Sequence, residues 1–239
     1  LSVAESMNLE PRFASTLDPF VCAQAAAART KSLRVGSAIS LYSQHDPIST
    51  AKRLMSLDRV IGGRLTVGVG GGWIEDEMAL HGVDPKRRNA VLREHVEASP
   101  RLWTGEFVSY EGEYVRFPPT RILPRPVQQP GPPIYVAGSG PRALERVLAF
   151  GDGWMPDFGS TNLDALLVKL AELREAGERR GAPYPVIVTS VPHKAEVMIE
   201  LFDAGVTEVA TVLPSGSFDE IAAHLSTFTA AARSAGGIG

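Results

Sequence analysis

The sequence predicts an α/β fold built on parallel strands. Three observations lead there. Short apolar runs alternate with helix-length segments of 3.6-residue periodicity. The apolar runs are continuous rather than alternating with polar residues, as in strands covered on both faces. Glycine-rich turns stand where several of those runs end, and that is the end at which parallel α/β folds bind ligands. Strand–helix alternation implies right-handed parallel crossovers, in a barrel or in a doubly wound sheet.

Taken in order, Leu1 to Asp18 reads as loop and Pro19 to Thr30 as an alanine-rich helix with no strand before it. Leu33 to Ser40 (LRVGSAIS) is the first strand. Asp46-Pro47 starts a helix over Ile48 to Val60, with Leu54, Leu57 and Val60 at helical spacing, and Gly62-Gly63 ends it. Leu65 to Val69 is the second strand, and a helix covers Pro85 to Leu102. The rhythm then breaks. Phe107–Tyr110 and Tyr114–Phe117 flank Glu111-Gly112-Glu113, which predicts a β-hairpin. Seven prolines between Pro118 and Pro133 exclude a regular helix or a central strand. This stretch reads as an extended excursion; the alternative is a linker between two domains. Resumption of the same rhythm afterwards favours one domain over 1–239, with an insertion at about 104–133. Strands follow at Ile134–Ala137, Gly153–Pro156, Val186–Ser190 and Glu208–Leu213. Helices follow at Pro141–Phe150, Leu163–Arg180, His193–Ala204 and Phe218–Ala232. That makes six strand–helix units, whereas a barrel of this type has eight. The expectation is that an N-terminal part, two strands and one helix, is missing.

Composition narrows the function. The 239 residues are 44% hydrophobic, enough to bury a sizeable core. A net charge of −3, with both signs dispersed, gives no footing for nucleic acid. No apolar stretch approaches a bilayer span, and no signal peptide is visible, so neither a membrane nor secretion is expected. The single cysteine, Cys22, excludes an internal disulfide and fits a reducing, cytoplasmic compartment. Cys22 is expected to be packed in its helix rather than reactive. The five histidines, at 45, 81, 95, 193 and 224, show no metal-ligand spacing, and there is no Gly-x-Ser-x-Gly elbow.

Three strand ends carry candidate chemistry. At the first, Gly68-Val69-Gly70-Gly71-Gly72-Trp73 lets backbone approach a ligand without Cβ interference. The acids Glu75-Asp76-Glu77 follow it directly. They repel a polyphosphate and suit neutral polar groups, such as a ring edge or ribityl hydroxyls. A tight turn leading into a solvated acidic helix is the plain alternative. At the second, Gly138-Ser139-Gly140-Pro141-Arg142-Ala143 matches a Gly-x-Gly-x-x-Ala turn between strand and helix. Free N–H groups and the helix dipole there favour a phosphate, and proline at the first helical turn costs nothing. The turn lies past the middle of the chain, and no ribose-binding acid follows, so a full Rossmann motif is a weak reading. At the third, polar residues cluster after Val35–Ser40, where Tyr42 and His45 are candidate pocket residues and His45 a candidate acid or base. A solvated loop histidine is the alternative. Trp73 and Trp154 lie near strand ends, positioned to wall a planar ligand or to cap the core.

The segments ART-KSLRVGSAISL, STAKRLMSLDRVIGGRLTVGVGGGW, ILPRPVQQPGPPIYVAGSGPRAL and FGDGW, in that order, resemble luciferase-like flavin monooxygenases and coenzyme F420-dependent oxidoreductases. The resemblance is strong over Thr30 to Pro156 and nearest to the F420 subgroup. It implies a luciferase-like (β/α)8 TIM barrel, of which this chain holds about six units, with an insertion where the hairpin and prolines lie. It implies coenzyme F420, or alternatively FMN, held at the strand C-terminal ends. Ala38 and Ile39 would occupy a bulge behind the ring, often joined by a non-prolyl cis peptide. Gly70, Gly71 and Asp76 would contact ring or side chain. Ala137, Gly138, Ser139, Gly140 and Pro141 would hold the phosphate. The family's first two strands are absent from the chain, so no catalytic acid or base is assigned. The function expected is F420 hydride transfer or FMN-dependent monooxygenation of a small organic molecule, by a homodimer. The alternatives are an NAD(P)-dependent dehydrogenase using residues 138–143, and a non-catalytic flavin-binding or truncated barrel.

Overall fold

The computed structural model describes residues 17–236, which divide into two compact units within Leu1–Ile134 and Tyr135–Gly239. The loop expected for the first sixteen residues lies outside the described residues.

The first unit opens with α1 (Pro19–Ala28), capped by Asp18, whose carboxylate accepts from the Phe20 and Val21 amides. It buries Phe20, Ala23 and Ala27, one face of a helix. Cys22 falls on the opposite face and is exposed, which corrects the expectation of a packed thiol. Strand β1 (Val35–Ser40) pairs in parallel with β2 (Leu65–Val69), from Val35 opposite Leu65 onward. The two approach so closely at Gly36 that a Cβ there would lie 2.0 Å from the Thr66 carbonyl oxygen. Between them runs α2 (Pro47–Val60), its start fixed by Asp46 accepting from the Ser49 amide at 2.7 Å. A short helix, α3 (Glu75–Leu80), follows β2. It is the acidic helix that stood as the plain alternative reading of Glu75-Asp76-Glu77.

Helix α4 (Arg88–Trp103) buries Leu92, Val96, Leu102 and Trp103, and the Trp103 indole donates to the Ala51 carbonyl of α2 at 3.1 Å. The hairpin is β3 (Val108–Glu111) and β4 (Arg116–Thr120), antiparallel. Its second strand lies two to three residues later than the sequence suggested and includes Pro118 and Pro119. A two-stranded ladder has two edges, so prolines fit where a central strand would exclude them. The turn is anchored from α4. Buried Glu94 accepts from the amides of Glu113, Tyr114 and Val115 at 3.0, 2.7 and 2.8 Å. A second buried carboxylate, Asp58 of α2, accepts from the Val127 and Gln128 amides and from the Gln128 side chain. These bonds lead the proline-rich excursion back toward β2, where the Val67 amide donates to the Pro133 carbonyl at 3.0 Å.

From the unit boundary, β5 (Ile134–Ala137) pairs in parallel with β6 (Gly153–Met155), with α5 (Ala143–Phe150) between them. Parallel bridges link Trp154 to Val186 and Asp157 to Thr189, placing β7 (Ile187–Val188) beside β6. Strand β8 (Glu208–Val209) pairs in parallel with β7. Helices α6 (Leu163–Arg180), α7 (Ala195–Asp203) and α8 (Phe218–Ser234) complete the unit. Its core takes Leu166, Leu170 and Leu173 from α6 and Met198 and Leu201 from α7, beside a cluster of Tyr135, Met155 and Ile187. The last two strands are shorter than expected, but contact persists beyond them, with the Val191 amide donating to the Ala210 carbonyl at 2.9 Å. Among the described residues no helix is long and apolar enough to cross a membrane.

Candidate functional site

In the first unit the candidate residues gather where β1 and β2 end. The β1–β2 register shifts between Ser37 and Ser40. Within that shift Ala38 and Ile39 are exposed, while Ser37 and Ser40 on either side are buried. The Ala38–Ile39 peptide bond is cis. The bulge is tied to β2, because the Ser37 hydroxyl donates to the Gly68 carbonyl at 2.9 Å and the Gly70 amide to the Ser40 carbonyl at 3.1 Å. Gly70 and Gly71 are buried. Gly72 turns the chain at φ +84°, a conformation glycine adopts freely. Trp73 projects at 68% exposure, and Asp76 is exposed in the first turn of α3, where acids complement the helix dipole.

Tyr42 lies in the 3-10 turn Tyr42–Gln44 and is wholly buried. The Ser99 hydroxyl donates to the His95 carbonyl at 3.0 Å, so the Tyr42 phenol, 2.8 Å away, is the donor to Ser99. Burial drives its ionisation far above the ordinary range, against a smaller opposing effect of the Ser99 bond. Tyr42 therefore locks the turn onto α4 and is not a pocket wall. His45, three residues beyond Tyr42, is exposed. Burial of part of the ring lowers its pKa, reinforced by Arg53 and His81 and opposed by Asp18, which leaves a neutral imidazole at pH 7.

In the second unit the turn after β5 has an ordered set of peptide planes. The Trp154 indole donates to the Gly138 carbonyl at 2.9 Å. Lys169 of α6 donates to the carbonyls of Ser139 and Gly140. A trans peptide directs its N–H opposite to its C=O. The Ser139 amide therefore points away from Trp154, and the Gly140 amide away from Lys169. Gly138 sits at φ +115°, and a Cβ on Gly140 would meet nothing within 4 Å. The Ser139 hydroxyl bonds the Asp157 backbone and Ser160, which steadies the turn from β6. Ala137 and Ser139 are half-buried, and Pro141 is exposed. Trp154 is fully buried, so it supports this turn from within rather than walling a ligand.

Sequence reasoning missed Lys169, which lies mid-helix with no motif around it. Among the described residues no group of three histidine, cysteine or acidic side chains is arranged to hold a metal.

The sequence model of the luciferase-like monooxygenase family matches residues 1–231, spanning both units. An uncharacterized protein of Mycobacterium tuberculosis is 39% identical over 224 residues, covering 92% of this chain and 78% of the relative. The F420-dependent glucose-6-phosphate dehydrogenase of Amycolatopsis mediterranei is 30% identical over 162 residues, 65% of this chain and 48% of that enzyme. The monooxygenase RslO1 from Streptomyces bottropensis superposes with a TM-score of 0.67 at 27% identity, over 91% of this chain and 65% of that one. The parallel α/β architecture is thus the TIM-barrel-like fold of these enzymes, and the chain belongs to the luciferase-like monooxygenase family.

Proposed function

We propose that the chain is an oxidoreductase using coenzyme F420, with FMN-dependent monooxygenation as the alternative, on a small organic substrate. The carrying observation is the turn Gly138–Pro141. Its carbonyls are held by Trp154 and Lys169, and the Ser139 and Gly140 amides point away from those donors, which suits a phosphate ahead of the helix. In the second unit, Ala137, Gly138, Ser139, Gly140 and Pro141 are assigned to the phosphate. In the first unit, Ala38, Ile39, Gly70, Gly71 and Asp76 are assigned to the ring and its side chain, where glycine backbone and an exposed bulge leave room for a flat heterocycle. When bound, such a ring supplies the redox chemistry. The protein's own part is to hold it, to shield the reacting face from water, and to present a neutral imidazole at His45 able to take a proton. The identity shared with the Amycolatopsis dehydrogenase is what supports F420, and the likeness to the monooxygenase RslO1 is what keeps the monooxygenase alternative.

The test is a fluorescence titration of the full-length protein with F420, FMN and NADPH. F420 is expected to saturate. Gly138→Ala, which forces an L-residue into φ +115°, is expected to weaken F420 binding about tenfold. Saturation by FMN alone selects the monooxygenase branch. Binding of NADPH alone, or of none of the three, overturns the proposal.

A further inference from the structure

One face of α4 grips the 3-10 turn at both ends. His95 and Ser99 stand one helical turn apart and so lie on the same side of the helix. At the front of the 3-10 turn the Tyr42 phenol donates to Ser99 at 2.8 Å, and Ser99 donates to the His95 carbonyl. At its exit the His45 carbonyl lies 3.1 Å from His95 Nε2, while His95 Nδ1 lies 2.8 Å from the Val91 carbonyl. The ring is buried, with His95 6% exposed. A carbonyl oxygen only accepts. Both contacts are hydrogen bonds only when both ring nitrogens carry a proton, as in an imidazolium. A neutral imidazole has one N–H and turns a lone pair on the other carbonyl.

The surroundings suit that cation. The ionisable groups lining the adjoining cavity are His45 on the turn, Asp46 at the start of α2, His81, Asp84 and Arg87 after α3, and Tyr114 of the hairpin. Glu94, next to His95 on α4, is spent on the hairpin amides. Asp46 and Asp84 accept from the Ser49 and Lys86 amides and keep their charge. Two carboxylates against one guanidinium leave one negative charge over before the imidazoles are counted. His45 does not balance it, because burial, then Arg53 and His81, with His95 adding to them against Asp18, keep its ring neutral. The turn also needs holding. Ser43 Oγ and Gln44 Nε2 are buried with no hydrogen-bond partner among the described residues, which opposes the conformation that buries them.

We propose that His95 is the positioning residue of this turn: its imidazolium donates to Val91 and His45 at once and so holds His45 in place, and loss of one proton frees the exit of the turn. The clamp is complete on the acid side and loosens as pH rises. Only the use made of His45 rests on the oxidoreductase reading; the clamp itself needs no cofactor.

The test follows amide exchange and ring ¹⁵N–¹H spectra of the full-length protein, without cofactor, from about pH 5.5 to 8.5. The Gln44 and His45 amides report on the turn, since they donate to the Leu41 and Tyr42 carbonyls. Both ring nitrogens of His95 are expected to carry protons at the acid end. The protection factors of the two amides are expected to fall about tenfold as one proton leaves, the loss of one charged hydrogen bond. Two variants separate positioning from bulk. Glutamine reaches as far as Nε2 and donates without titrating, so His95→Gln is expected to hold the turn equally at every pH. Asparagine reaches only as far as Nδ1, so His95→Asn is expected to leave it loose at every pH. The Tyr114 and Val115 amides, held by Glu94, should stay protected throughout. Turn protection that does not change with pH overturns the proposal. So does a pH dependence that survives in His95→Gln, or a singly protonated His95 ring at the acid end. A protein that shows the clamp and binds no F420 keeps this inference and loses the proposed function.

Discussion

Glu94 offers a test in which the magnitude follows from geometry. Its carboxylate is buried and accepts three amides of the hairpin turn. Burial alone would raise its pKa. The bonds from Val115, Tyr114 and Glu113 outweigh that and hold it below the usual range. Replacing Glu94 by alanine strands these amides. The Glu113 amide is in an exposed residue and water replaces the lost acceptor. Val115 is buried and Tyr114 half-buried, and each loses a charge-assisted bond worth about 1.5 kcal/mol. Glu94→Ala should therefore cost about 3 kcal/mol, or some 6–12 °C in Tm for a domain of this size. Gly112 supplies an independent check. A Cβ there would sit 2.3 Å from Glu94 Oε2, the oxygen that accepts from both Tyr114 and Val115. Gly112→Ala must push that oxygen aside by about 1 Å and break the same two bonds. The two substitutions remove one interaction, so the double variant should be barely less stable than either single one, with a coupling energy of about 2 kcal/mol in a urea-unfolding cycle. Contact of the new methyl with the Tyr110 ring, 2.8 Å away, is the part that stays additive. The pH dependence has a definite sign. A folded-state pKa below the unfolded value of about 4.3 contributes stability above that pH, which is lost as pH falls through the folded pKa. Glu94→Ala should flatten that acid limb. Costs that add to within about 0.5 kcal/mol, or unchanged hydrogen exchange at Tyr114 and Val115, would refute the anchoring role.

Asp58→Ala strands the backbone and side-chain amides of half-buried Gln128, while water replaces the acceptor of exposed Val127, so a loss of about 3 kcal/mol is expected in urea unfolding. Amide exchange should speed up at 127 and 128 while the Val115 amide, held by Glu94, stays protected; uniform loss across both sites would contradict a local clamp. In the second unit His193 and His224 share the Thr211 hydroxyl, each with Nε2 at 3.1 Å, and their rings lie 4.2 Å apart. One hydroxyl proton serves the pair, so one imidazole accepts it and the other donates. Burial, and then the neighbouring His224, lower the pKa of His193. The unfolded chain then binds more protons than the folded one, and this contribution to stability is lost as pH falls from about 6.5 through the folded pKa. An NMR titration should place the His193 midpoint below 6.5, and His224→Gln should move it back upward. A midpoint at or above the ordinary value would remove the cluster as a pH-responsive contact.

Strand–helix order, and most helix starts, were legible because local physics sets them. Asp46-Pro47 and Asp18-Pro19 supply a capping acceptor and a proline without an N–H to lose, and both helices begin there. Continuous apolar runs located β2 and β5 to the residue. The glycine turns were legible for the same reason, since Gly72 and Gly138 hold backbone angles that other residues rarely adopt. Side-chain roles were less so. Tyr42 and Trp154 looked like pocket walls because both stand near strand ends, yet each is buried and spends its polar atom on a neighbour, Ser99 or Gly138. An aromatic residue with one polar tip suits either place, and only packing decides. Cys22 was misjudged because a helix half of whose residues are alanine shows no clear apolar face of its own.

The two buried carboxylates sharpen the point. Asp58 and Glu94 sit on amphipathic helices in segments that read as ordinary charged surface, at 69 and 21 residues' remove from the amides they hold. Their partners are backbone N–H groups of the hairpin and the proline-rich excursion, the segments whose conformation the sequence left least defined. That complementarity is physical. A chain segment poor in internal hydrogen bonds leaves amides to be satisfied, and a carboxylate on a neighbouring helix can accept several at once. Sequence patterns report periodicity, whereas this kind of bond depends on which irregular loop the helix meets.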